Sequence, residues 1–68
     1  MNQPKWQYEE VIGKRRVYAR ATRSEIIVRV ENDGDTTKFA EYGYPKIFGL
    51  SVSALQAALE VPESEIKA

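Results

Sequence analysis

Apolar and polar side chains alternate along much of the first half of the chain. In residues 16–22, the small apolar residues Val17, Ala19 and Ala21 are separated by polar or amphipathic ones. This two-residue period is typical of a strand that buries one face. Residues 25–31 contain three consecutive β-branched side chains, which favour a central strand. With two further apolar runs, the pattern predicts strands at 8–12, 16–22, 25–31 and 36–42.

Turn-forming residues separate these segments. Gly13 and the segment Asn32-Asp33-Gly34-Asp35 offer residues that tolerate left-handed backbone angles. A loop is predicted at 42–49 from its Gly and Pro content, followed by a helix at 51–60 with Ser51 at its cap. Four residues share one side of that helix and form its predicted core stripe: Val52, Leu55, Ala58 and Leu59.

These elements predict an α+β fold, a three- to four-stranded antiparallel β-meander with one C-terminal helix packed on one face. Seven sheet residues are predicted to face the helix: Val17, Ala19, Ala21, Ile26, Val28, Val30 and Phe39. Residues 1–68 are expected to form a single small domain, with 1–6 and 62–68 flexible.

The composition limits the chemistry that such a domain can perform. The chain has 68 residues, no Cys and no His, which removes disulfides, thiolate nucleophiles and the usual general base at neutral pH. The first residues lack the apolar stretch of a secretory signal, and the longest uncharged stretch is too short to cross a membrane. We therefore expect a cytoplasmic protein that is not an enzyme and uses no metal or cofactor.

Charge is unevenly distributed along a chain whose net charge is zero. Residues 1–30 carry seven basic and three acidic side chains, and residues 31–68 carry three basic and seven acidic ones. If the helix covers one sheet face, Tyr18, Arg20, Ile27, Arg29, Lys38 and Tyr42 are predicted to lie together on the other.

A sheet face that carries Arg, Lys and Tyr favours nucleic-acid binding, because guanidinium groups pair with phosphates or base edges and tyrosines stack on bases. In this hypothesis Arg15, Arg16 and Arg23 hold phosphates. Arg20 and Arg29 reach the bases, and Tyr18 and Tyr42 stack on them. The full predicted site is Arg15, Arg16, Tyr18, Arg20, Arg23, Arg29, Lys38 and Tyr42.

Other interpretations of the same residues stay open. The sheet face can be an ordinary solvated surface, and a pI near 6.2 counts against nucleic acid. The alternative function is a protein-binding adaptor or inhibitor, and the protein could then also form a homodimer. It would bind through Tyr44 and Phe48 of the aromatic loop at 42–49. Within that loop, Phe48 is expected to plug the end of the core, whereas Tyr44 is expected to be exposed.

Overall fold

A computed structural model describes residues 5–66, which form a four-stranded antiparallel sheet with one helix packed on it. The strands occur along the sheet in chain order, which confirms the predicted α+β meander. Residues 1–4 and 67–68 of the segments predicted to be flexible lie outside the described residues. The elements are β1 (Tyr8–Ile12), β2 (Arg15–Ala21), β3 (Glu25–Asn32), β4 (Asp35–Pro45), α1 (Leu50–Glu60) and a 3-10 turn (Glu63–Glu65).

Two glycines make the tight turns between strands. Gly13 has a φ of 65° between β1 and β2, and Gly34 has a φ of 90° between β3 and β4. Other residues adopt these backbone angles at a cost because the Cβ atom crowds the following peptide. The two predicted turns are therefore present at the predicted positions.

The core lies between the sheet and α1 and is built from small and medium side chains. Beneath the helix the sheet contributes fully buried Val17, Ala19, Val28 and Val30. The chain after α1 returns to this core, where Ile66 is 6% exposed. The remaining buried apolar residues are Ile26, Ala40, Ala54, Ala57, Ala58 and Val61.

An irregularity near the β3–β4 turn changes the register of β4. Asn32 pairs with Asp35, but the preceding Glu31 pairs with Phe39. Residues 36–38 of β4 therefore have no partner in β3. Successive side chains of a strand point to opposite faces, so an insertion of three residues reverses the face of every residue that follows it.

This register shift overturns the predicted faces of several β4 residues. Phe39 lies on the face away from the helix, and Tyr42, opposite Val28, lies on the helix face. Lys38 lies in the unpaired stretch, so no strand pairing places it beside Arg20 and Arg29 as predicted. The predicted loop is also wrong in part, because β4 continues through Pro45.

The two aromatic residues proposed for the loop exchange roles. Tyr44 is half-buried against the core because it lies on the helix face of β4 opposite Ile26. Phe48 is 49% exposed, so it does not plug the core. The β4 register again gives the reason, since it places Tyr42 and Tyr44 on the helix face, where both pack against the core.

The helix also packs with a different side from the one predicted. Ser53, Ala54, Ala57 and Ala58 are its buried residues, and of the predicted stripe only Ala58 faces the sheet. Small side chains let the helix approach the valine-rich sheet closely. Val52, Leu55 and Leu59 point outward, and we call these three residues the outward stripe. Gly49 rather than Ser51 occupies the N-cap position, without a side-chain hydrogen bond.

Arg15 fixes the end of the helix against β2. Its Nη1 donates to the carbonyl oxygen of Ala58 at 3.1 Å and also to that of Val61. Ala58 lies in the last turn of the helix and Val61 is its C-cap residue, and carbonyls at this end have no backbone donor within the helix. Arg15 therefore lies on the helix side of the sheet and serves the fold, which contradicts its predicted place beside the other phosphate-binding residues.

Candidate functional site

The sheet face that turns away from α1 is the candidate site, and we call it the open face. Tyr18 pairs with Arg29 and Arg20 pairs with Ile27, while their neighbours along the strands are buried under the helix. The predicted gathering of Tyr18, Arg20 and Arg29 on one uncovered face is therefore confirmed. Its sheet residues are Glu9, Val11, Arg16, Tyr18, Arg20, Glu25, Ile27, Arg29, Glu31, Phe39, Glu41 and Gly43.

Trp6 joins the open face from the segment that precedes β1. Its ring lies 5.7 Å from that of Tyr18, tilted by 42°, and the Arg20 guanidinium is 5.6 Å from the Trp6 ring centroid. No role for Trp6 follows from the sequence pattern. The available signal was a lone tryptophan just before a strand, although nothing in the sequence pattern fixes the face on which it packs.

A second group on the open face is organised around the buried carboxylate of Glu31, which is 1% exposed. Arg29 donates from Nε to Glu31 at 3.1 Å, and the Tyr18 hydroxyl donates to the other oxygen at 3.1 Å. The Arg29 guanidinium lies 3.8 Å from the centroid of the Phe39 ring. Burial, and then the hydrogen bond to Glu31, raises the pKa of the Tyr18 phenol above its ordinary value of 10.0.

The remaining arginines of the predicted site differ in what they contact. Arg16 pairs with Glu9 at 2.5 Å and with Asp33 at 3.1 Å, and these carboxylates raise the pKa of its guanidinium. Arg20 makes no ion pair within residues 5–66, and its Nε is buried without a hydrogen-bond partner there. Arg23 is exposed in the turn between β2 and β3.

Tyr42 is separated from the open face by the sheet itself. Its hydroxyl donates to Glu65 at 2.7 Å on the helix side, and this hydrogen bond raises the pKa of the phenol. The prediction that Tyr42 stacks beside Tyr18 is therefore wrong. The structure brings together Arg16, Tyr18, Arg20 and Arg29 from the predicted site and places Arg15, Arg23, Lys38 and Tyr42 elsewhere.

The open face is not basic. Three arginines, at 16, 20 and 29, share it with four glutamates, at 9, 25, 31 and 41. Two of these arginines are already paired with carboxylates. The clustering of arginines in the sequence is therefore offset in space by acids that come from β1, β3 and β4.

No protein-family model, curated protein or solved structure matches the chain. Within residues 5–66, no three or more metal-ligating side chains come together. The same part of the chain contains no helix long and apolar enough to cross a bilayer.

Proposed function

We propose that this protein is a non-enzymatic binding module that recognises a protein partner through the open face. The anchor is Arg20, which takes a carboxylate of the partner. Three side chains around Arg20 contact an apolar residue next to that carboxylate: Trp6, Tyr18 and Ile27.

The observation that supports this proposal is the incomplete bonding of Arg20 on a face where its neighbours are satisfied. Within residues 5–66 it is the one open-face arginine without an ion pair. Its guanidinium lies against the Trp6 ring, which limits the orientations it can take. Trp, Tyr and Arg are the side chains that most often dominate binding energy at protein interfaces.

Charge favours a single carboxylate over a nucleic-acid backbone as the ligand of Arg20. Affinity for nucleic acid comes largely from neutralising several phosphates, and it needs a row of free cations. Here four glutamates share the open face with three arginines, so an extended polyanion meets repulsion along its length. One carboxylate beside an apolar group needs one free arginine and its aromatic neighbours.

Single-stranded nucleic acid is the second candidate, because the Trp6 and Tyr18 rings lie 5.7 Å apart beside Arg20. Aromatic side chains on an open sheet stack with bases, and a nearby arginine can hold one phosphate. This is the reduced form of the nucleic-acid hypothesis, without Arg15, Arg23, Lys38 and Tyr42. It predicts weak binding that depends on the rings more than on the cations.

Selection from a random-peptide phage library tests the proposal directly. We expect the wild type to enrich peptides that carry Asp or Glu next to a large apolar residue. Arg20→Gln should lose these peptides at least about tenfold, as expected for an interface anchor. The matched control is Arg23→Gln, which removes an exposed arginine outside the open face and should bind as the wild type does. Circular dichroism checks that both variants retain the sheet.

Equal enrichment by the wild type and Arg20→Gln would overturn the proposal. A parallel titration uses random single-stranded DNA and RNA oligonucleotides and follows the Trp6 indole and the Arg20 side chain by NMR. Shifts of these signals without any enriched peptide would replace the protein partner with nucleic acid.

A further inference from the structure

The outward side of α1 exposes a continuous row of large apolar side chains. Val52, Leu55 and Leu59 are spaced by three and four residues, which places them on one side of the helix. They are 49%, 46% and 74% exposed. Soluble monomers carry scattered apolar residues on their surface, whereas a contiguous row marks an interaction surface.

This outward stripe continues into a cleft of about 350 Å³ between α1 and the edge strand β1. Val52 and Leu55 form its helix side, and Tyr8 and Ile12, on the helix face of β1, form much of its strand side. The apolar surface is therefore wider than the helix alone and lies on a different side of the molecule from Arg20.

The charges of α1 indicate which partner fits the stripe. Glu60, at the C-terminal end, is the one charged residue of the helix. The N-terminal turn contains no acid, and Gly49 provides no side-chain cap for its free N–H groups. A carboxylate placed near a helix N-terminus is stabilised by these N–H groups and by the helix dipole. The two ends of α1 are thus complementary to each other.

We propose that the protein forms a homodimer in which the outward stripes of two α1 helices pack antiparallel about a two-fold axis near Leu55. Val52 of each copy then lies against Leu59 of the other. The same arrangement brings Glu60 of each copy to the uncapped N-terminal turn of the other. A two-fold interface must be self-complementary, and this surface meets that condition in both its apolar row and its charge.

The dimer is weak because a helix of eleven residues offers less contact area than the interfaces of tight dimers. Sedimentation velocity between micromolar and millimolar concentrations should show the 7.7 kDa chain approaching twice its mass. Leu55→Lys should remain monomeric throughout this range. The control Ile47→Lys makes the same kind of change at a residue that is 75% exposed and lies outside the stripe, and it should dimerise like the wild type.

Two further variants test the orientation of the helices. Glu60→Lys should raise the dissociation constant about threefold to thirtyfold, because it places a cation at the partner's N-terminal turn. The chain has no Cys, so Leu55→Cys introduces a single thiol. On oxidation it should form a disulfide-linked dimer faster than Ile47→Cys does, since the two-fold axis passes near residue 55.

A wild type that stays monomeric at millimolar concentration would overturn the proposal. A dimer that persists unchanged in Leu55→Lys would do the same, because it would use another surface such as a sheet edge. Cross-linking of Leu55→Cys no faster than that of Ile47→Cys would refute the antiparallel arrangement.

Discussion

The open face of the sheet and the outward stripe of α1 are both uncovered, but their side chains are satisfied to different degrees. On the open face, Glu31 accepts hydrogen bonds from Tyr18 and Arg29. On the outward stripe, Leu59 is 74% exposed to solvent. A surface organised by internal bonds favours selective recognition, whereas an apolar row gains free energy from any matching apolar surface.

The difference follows from how such a small core is filled. The buried residues are mainly Val and Ala, while the two Phe side chains and two of the three Leu side chains are exposed. The alanine side of α1 fits closely over the valines of β2 and β3, and the three residues of the outward stripe remain outside. The domain therefore folds with few large apolar groups in its interior and keeps the rest as surface.

The largest expected effect is a difference in stability between substitutions in the buried face of the sheet and substitutions in the outward stripe. Ile26→Ala removes a side chain that is 3% exposed and should lower the free energy of unfolding by about 2–5 kcal/mol. Leu59→Ala removes a side chain that is 74% exposed and should change it by less than about 0.5 kcal/mol. Urea denaturation at low protein concentration measures both. Similar losses in the two variants would place Leu59 in the core.

A smaller effect tests whether the open face is held together internally. Arg29→Met leaves the buried carboxylate of Glu31 without its cation and should lower the free energy of unfolding by about 2 kcal/mol, reduced because Arg29 is partly exposed. Adding Glu31→Gln should recover much of that loss, because the uncompensated charge is removed. Arg23→Met is the control, and a loss equal to that of Arg29→Met would contradict the network.

The smallest effect is a dependence of folding stability on pH in the alkaline range. Burial and the bond to Glu31 raise the pKa of Tyr18 in the folded state, so the folded protein keeps this proton more tightly than the unfolded chain. The contribution is present below the ordinary pKa of 10.0 and is lost as the pH rises through the folded-state pKa. Tyr18→Phe should therefore show a shallower fall in stability above pH 10.0 than the wild type. Identical stability profiles for Tyr18→Phe and the wild type would show that the Tyr18 hydroxyl does not take part in the network around Glu31.

Alternation in the sequence predicted β2, and the run of β-branched residues at 26–28 predicted β3. In both strands every second residue is apolar and lies on the helix face. The short turn between the strands sets the register in which Arg20 pairs with Ile27. The face of Tyr18, Arg20 and Arg29 followed from that parity alone. The buried ion pair of Arg29 and Glu31 was predictable in the same way, since residues two apart in a strand share a face.

The face of β4 and the packed side of α1 were not predictable in this way. Three unpaired residues between Asp35 and Phe39 reverse the face of the whole strand, and turn chemistry at Gly34 does not reveal such an insertion. In α1, the rule that the larger apolar residues face the core selected Leu55 and Leu59. The close fit of Ala54 and Ala57 against the sheet gave the opposite result.

The orientation of α1 determines both surfaces, and methyl NOE spectroscopy of the wild type at low concentration tests it most directly. The structure predicts strong cross-peaks from the methyls of Ala54 and Ala57 to those of the buried valines Val17, Val28 and Val30, with the methyls of Leu59 free of such contacts. Strong cross-peaks from Leu55 and Leu59 to those valines, with none from the two alanines, would contradict the account.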